Sequence, residues 1–189
     1  MLLVAGFEGE WVALYCCPGT EGRTLGRNDD GTAAVERWLI EGMLSRTTAG
    51  RVTVLPGAAA LLAEVAAAGL PYALVTGSLR PFVEAVLAAT GFRFPVTVCG
   101  DDVPVTKPDP APYQLAAKLL DVEPGRCAAL EDSPNGVASA TAAGCLVVAV
   151  PSFVPVPAAP GRLVVSSLSD VTLGTLRALA SANGQQREA

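Results

Sequence analysis

From Val52 onward, short apolar runs alternate with longer segments whose apolar residues recur at helical spacing, and glycine or proline stands at most junctions. Pro56-Gly57 precedes an Ala/Leu helix running to Ala68, and Gly69 ends it. Tyr72 to Thr76 predicts a strand, Pro81 to Thr90 a helix stopped by Gly91, and Val96 to Cys99 a strand. Ala111 to Leu120 predicts a helix, Cys127 to Glu131 a strand, Asn135 to Ala143 a helix stopped by Gly144, and Leu146 to Val150 a strand. A strand at Leu163 to Val165 and a helix at Val171 to Ala182 follow, with Gln185 to Ala189 read as a frayed tail. Strands separated by helix-length segments need crossover connections, so the expected class is α/β: a three-layer sandwich with a mostly parallel sheet.

The first fifty residues have a different texture. Leu2 to Phe7 is a short apolar run, readable as a first core strand, and Glu8-Gly9-Glu10 reads as the turn after it. Cys16-Cys17-Pro18-Gly19-Thr20-Glu21-Gly22 is loop-like, whereas Thr32 to Leu44 carries apolar residues at helical spacing. The expected organisation is therefore one core domain built from 1–14 and 51–184, interrupted by a reduced helical cap at 15–50. Pro151 to Pro160 reads as a proline-rich surface loop rather than a linker.

Composition narrows the function. The 189-residue chain is 51% hydrophobic and 16% charged with a formal charge of −5, and it has no Lys/Arg run. A nucleic-acid or anionic-membrane partner needs a concentrated basic surface, so neither is expected. No run reaches the ~18 apolar residues of a membrane span, and Glu8 and Glu10 break the N-terminal apolar stretch, so no signal peptide is expected. The five cysteines lack metal-like spacing and several sit in apolar runs, which fits free thiols in a reduced, cytoplasmic setting. With no histidine at all, the usual general base, the usual zinc ligand and the Ser-His-Asp triad are excluded together. Trp11 and Trp38 read as packing residues.

In an open parallel sheet, ligands sit beyond the carboxyl ends of the strands. After Tyr72-Ala73-Leu74-Val75 comes Thr76-Gly77-Ser78, a hydroxyl with flexible amides that can hold a phosphate oxygen at a helix start. After the Val96 strand comes Thr106-Lys107-Pro108-Asp109-Pro110, a lysine in a proline-stiffened loop. After Cys127 to Leu130 comes Glu131-Asp132-Ser133-Pro134-Asn135-Gly136, two adjacent carboxylates suited to a hard cation such as magnesium. Taken singly, the first is an ordinary helix cap, the second a solvated loop, and the third a pair of acids complementing a helix dipole. Together, on successive strand ends, they favour a shared site.

These three stretches, with Ala142-Ala143-Gly144 beyond them, resemble in order the second, third and fourth motifs of the haloacid dehalogenase superfamily, in its phosphatase and β-phosphoglucomutase-like branch. The resemblance covers roughly 51–167 and implies a Rossmann-like core. It further implies a magnesium-dependent phosphatase or phosphomutase acting on a small phosphorylated metabolite, expected as a monomer. On that resemblance Thr76 would bind the transferring phosphoryl group with Gly77 and Ser78. Lys107 would neutralise nucleophile and phosphate, and Glu131 and Asp132 would position Mg2+.

The first motif departs from the family. Members open with a strand ending in Asp-x-Asp-Gly-Thr, whose first aspartate attacks phosphorus. Aligning Leu2 to Val12 with that opening puts Gly6 at the nucleophile and Glu8 at the acid/base, so Gly6 would sit beside Thr76 and Glu131 at the end of a central strand. Glycine cannot form an aspartyl-phosphate, which implies a catalytically impaired protein, a pseudoenzyme. Two other placements stay open: Asn28-Asp29-Asp30-Gly31-Thr32 as the motif, and a true start upstream of Met1, which would make this a truncated active phosphatase. From another class comes a non-catalytic module that binds a phosphometabolite or a protein.

Overall fold

The computed structural model describes residues 2–5, 54–150 and 154–187. Six strands form one sheet: β1 (Leu2–Ala5), β2 (Tyr72–Val75), β3 (Val96–Val98), β4 (Cys127–Glu131), β5 (Leu146–Ala149) and β6 (Arg162–Val164), in the order β3-β2-β1-β4-β5-β6. Among the described residues five α-helices accompany them: α1 (Ala58–Ala67), α2 (Arg80–Thr90), α3 (Ala111–Leu119), α4 (Pro134–Ala142) and α5 (Leu173–Arg187). The elements from α1 onward match the apolar pattern to within a residue or two. One end differs: the stretch read as frayed from Gln185 continues as helix to Arg187.

The pleat sorts the sheet into two faces. In β4, Ala128 and Leu130 join α1 and α5 in a Leu/Val-rich core with Leu61, Val65, Val148 and Leu176. Their neighbours Cys127 and Ala129 face the other way, into a core with α3 and α4 built largely from Ala73, Ala116, Ala117, Ala140 and Ala149. Helix α2 packs Val83 on Leu74. Helices on both faces give the three layers. Small side chains on the α3/α4 face let those helices lie close to the strands, and Glu131, by parity with Cys127 and Ala129, points into that face.

The entry to α1 is fixed by a close approach. Gly57 has φ +86°, and a Cβ there would meet the Leu168 and Ser169 backbone at 2.4–2.5 Å, so both the conformation and the space demand glycine.

Three strand pairings are parallel, β2·β3, β4·β5 and β5·β6, and the two made by β1 are antiparallel. Leu2–Ala5 lies centrally, as expected of the first strand, but runs antiparallel to both neighbours, where the alignment of the first motif expected a strand ending beside Thr76 and Glu131. Leu2 pairs with Leu74 and Leu130, near the carboxyl ends of β2 and β4, while Ala5 lies opposite Cys127, where β4 begins. These registers are three residues apart, roughly 10 Å at strand rise. The strand thus ends at the edge of the sheet away from Thr76. Leu-Leu-Val-Ala is apolar throughout, with no polar alternation to fix its direction, so either sense satisfies the burial of a slot flanked by two strands. Gly6, Glu8, the Asn28 to Thr32 stretch and the cap at 15–50 lie outside the described residues.

Candidate active site

β2 and β4 flank β1, and the chain leaves them in opposite directions, to β3 on one side and β5 on the other. Their carboxyl ends therefore border a crevice of the kind where open α/β sheets bind ligands. Val75, Thr76, Glu131 and Asp132 stand at this edge, and the Lys107 loop reaches across to it.

Lys107 Nζ donates to the Val75 carbonyl at 3.1 Å and to Glu131 Oε1 at 2.8 Å, bridging the ends of β2 and β4. An ammonium has three donors, so one remains for an incoming oxygen. The pair is largely buried: the Lys107 side chain is 12% exposed, Glu131 only 1%. The loop that holds the lysine is itself tied down. Asp109 N donates to Thr106 O at 3.0 Å, Asp109 Oδ1 accepts the Ala111 N–H at 2.9 Å, and buried Ser139 of α4 donates to Asp109 O at 2.6 Å. The Lys107–Pro108 peptide is cis.

Glu131 spends both its oxygens within the chain. Oε1 takes Lys107 and the Tyr113 hydroxyl at 2.7 Å, and Oε2 takes the Asp132 N–H at 3.2 Å and the Ser133 hydroxyl at 3.3 Å. A buried carboxylate without such partners would be very costly. Space for it comes from Gly136 in the first turn of α4, where a Cβ would lie 1.8–1.9 Å from the Glu131 carboxylate. Ser133 caps the same turn by accepting the Gly136 N–H at 3.1 Å.

Thr76 follows Val75 directly. Its Oγ1 accepts the Ser78 N–H at 3.1 Å, a local turn that leaves the hydroxyl proton to donate elsewhere. The loop is clamped from β3: Gly100 N donates to Ser78 O at 2.9 Å, and a Cβ on Gly100 would strike Gly77 O at 2.4 Å. At the start of α2, the Arg80 N–H donates to Asp101 Oδ1 at 3.1 Å while its guanidinium pairs with Asp102.

Asp132 is also buried, and that burial pushes its carboxyl above the usual range, with Glu131 adding to the rise and Lys107 opposing it. As a metal site the described residues offer little: no cluster of three or more acidic, cysteine or histidine side chains occurs among them. Of the two expected ligands, Glu131 gives both oxygens to Lys107, Tyr113, the Asp132 N–H and Ser133, and Asp132 stands beside it at the same edge. Mg2+ is commonly held by one or two carboxylates together with water and substrate phosphate, and Asp132 fits that sparse role.

Thr76, Gly77, Ser78, Lys107, Glu131 and Asp132 are thus brought to one edge of the sheet. Glu8 lies outside the described residues. Sequence reasoning missed Tyr113, Gly136, Ser139 and the Val75 carbonyl. Tyr113 could have been found from its place in the turn after the lysine loop, three and four positions before Ala116 and Ala117 on the buried stripe.

Against known proteins, the profile of the haloacid dehalogenase-like hydrolases matches residues 6–144. The chain belongs to that family. Hexitol phosphatase A of Escherichia coli (strain K12) is 44% identical over 100 residues, covering 52% of this chain and 46% of that protein. Protein CbbY of Rhodobacter capsulatus is 44% identical over 108 residues, 54% and 48% of the two chains. This haloacid dehalogenase-like chain spans about half the length of the curated relatives it matches. The crystal structure of CbbY from Rhodobacter sphaeroides in complex with phosphate superposes with a TM-score of 0.73 at 32% identity, covering 82% of this chain and 72% of that one. Another CbbY structure, with xylulose-(1,5)bisphosphate, gives 0.72 at the same identity and coverage. Among the described residues no helix is long and apolar enough to cross a membrane.

Proposed function

We propose that this chain carries the phosphate-binding, charge-neutralising half of a phosphatase site for a small phosphorylated sugar or related metabolite, and that it binds such esters without turning them over efficiently. One observation carries this reading: the Lys107 ammonium, anchored on Val75 and Glu131, keeps one donor at the crevice beside Thr76. Phosphoryl transfer depends chiefly on positioning and charge neutralisation, which is what this arrangement supplies. The phosphatase names of relatives and the phosphate and bisphosphate bound by CbbY favour a phosphorylated ligand.

In this reading the Thr76 hydroxyl and the Gly77 amide take phosphate oxygens, with the Ser78 N–H holding Thr76 in place, Lys107 neutralises the charge, and Glu131 holds Lys107 rather than the metal. Asp132 would hold Mg2+, which when bound adds positive charge against the phosphate. Impairment rests on the nucleophile: the central strand β1 ends at Ala5 opposite Cys127, at the edge away from Thr76, and the next residue in sequence is Gly6, which has no side chain to form an aspartyl-phosphate. The segment 15–50 is proposed as the cap that selects among metabolites.

The test is hydrolysis of p-nitrophenyl phosphate and hexose phosphates with magnesium by the purified chain. The expected result is turnover at background and no covalent phosphoenzyme. Robust magnesium-dependent turnover, lost in Lys107→Ala, would sink the claim of impairment while keeping the site.

A further inference from the structure

We propose that Tyr113 is a positioning residue for Lys107: through its hydroxyl on Glu131 and its ring under the ammonium, it sets where the phosphate-facing proton of Lys107 points. The proposal deepens the phosphate-binding reading and rests on it for its function, though not for its test.

Three observations carry it. Tyr113 and Lys107 share one acceptor, Glu131 Oε1, at 2.7 and 2.8 Å, whereas the contacts of Oε2 are longer, at 3.2 and 3.3 Å. The oxygen that meets the lysine is therefore fixed chiefly by the phenol. The lysine Nζ also lies 5.1 Å from the Tyr113 ring centroid, within the range of a cation–π attraction. Finally, Tyr113 has no exposed surface, and its first helical turn follows the lysine loop directly, so one short segment carries both ends of the contact. Burial, aided by Glu131, keeps the phenol protonated far above its ordinary range, so it acts as a donor at any working pH.

Removing only the hydroxyl should free the carboxylate to turn toward Ser133 and let the ammonium leave for solvent. The opposite picture is competition, in which the phenol draws Oε1 away from Lys107 and its loss tightens the ion pair. The two differ in sign.

Lys107 and Lys118 are the chain's only lysines, and Lys118 is exposed on the last turn of α3, which makes it an internal reference. Trace labelling with acetic anhydride, read by mass spectrometry without any ligand, gives the ratio of Lys107 to Lys118 modification. Tyr113→Phe, which keeps the ring, is expected to raise that ratio at least threefold, and Glu131→Gln at least as much. A ratio that is unchanged or lower in Tyr113→Phe overturns the proposal, even if the variant melts earlier, because packing loss alone leaves the lysine anchored.

Should Tyr113→Phe fail to fold, the same ratio is read in protein carrying 3-fluorotyrosine, a more acidic phenol that keeps its oxygen. The expected ratio is then about half that of the unsubstituted chain, and an equal or higher one overturns the proposal. Because no phosphate is present, failure of the phosphate reading would show in ligand titrations and leave this ratio untouched.

Discussion

The two faces of the sheet answer the same demand for burial by different means. On the α1/α5 face, β4 contributes Ala128 and Leu130 to a wholly apolar core, and specificity there is a matter of shape. On the α3/α4 face, β4 contributes Cys127, Ala129 and then Glu131, and alanines and Gly136 clear the space in which a buried carboxylate, a lysine and a tyrosine meet. One strand thus feeds stability on one side and a site on the other. Small residues are what the polar side requires, because only close helices can bring enough donors to a buried charge.

Substitutions that break one face should therefore leave a different signature from those that break the other. The largest effect is expected at Gly136→Ala, which must displace either α4 or the Glu131 carboxylate. We expect a loss of about 4 kcal/mol in urea unfolding together with loss of phosphate binding, since it disrupts the buried pair as well as the packing. A variant of near wild-type stability would show that α4 shifts freely and that the close fit is unimportant.

Next comes Glu131→Gln, which leaves Lys107 without its carboxylate. A loss of about 3 kcal/mol is expected, and the double variant Glu131→Gln/Lys107→Met should lose less than the two singles combined, because the lone charge is gone. Strict additivity would mean the pair is not coupled.

Leu130→Ala, one residue away on the apolar face, is expected to cost about 3 kcal/mol by cavity formation. Its phosphate affinity should stay within twofold of wild type, and a large loss would erase the distinction between the faces. The smallest effect concerns Asp132. Magnesium at several times its dissociation constant should raise stability by about 1 kcal/mol, and Asp132→Asn should abolish that gain. Persistence of the gain in the variant would place the cation elsewhere.

The same contrast explains what could be read from the sequence. Elements from Ala58 onward were legible because apolar spacing, with glycine or proline at the junctions, fixes type and boundaries, and the strand-end rule then gathered Thr76, Lys107, Glu131 and Asp132 at one edge. β1 was legible as a core strand but not in its direction, because Leu-Leu-Val-Ala has no polar side. Glu131 was identified as a site residue, yet its partners were not. That it faces Lys107 and Tyr113 follows from strand parity and from α3 lying close, both of which need the fold. Gly136 reads in sequence as a turn residue, and its function as empty space for a carboxylate appears only in three dimensions.

The central claim is that Lys107, held across the carboxyl ends of β2 and β4, binds a phosphate oxygen. Calorimetric titration of inorganic phosphate into the wild-type chain and Lys107→Met tests it most directly. The account predicts saturable binding that weakens about thirtyfold in Lys107→Met, the equivalent of about 2 kcal/mol for a charge-assisted hydrogen bond. Equal affinity in the two proteins, with both folded, would contradict it.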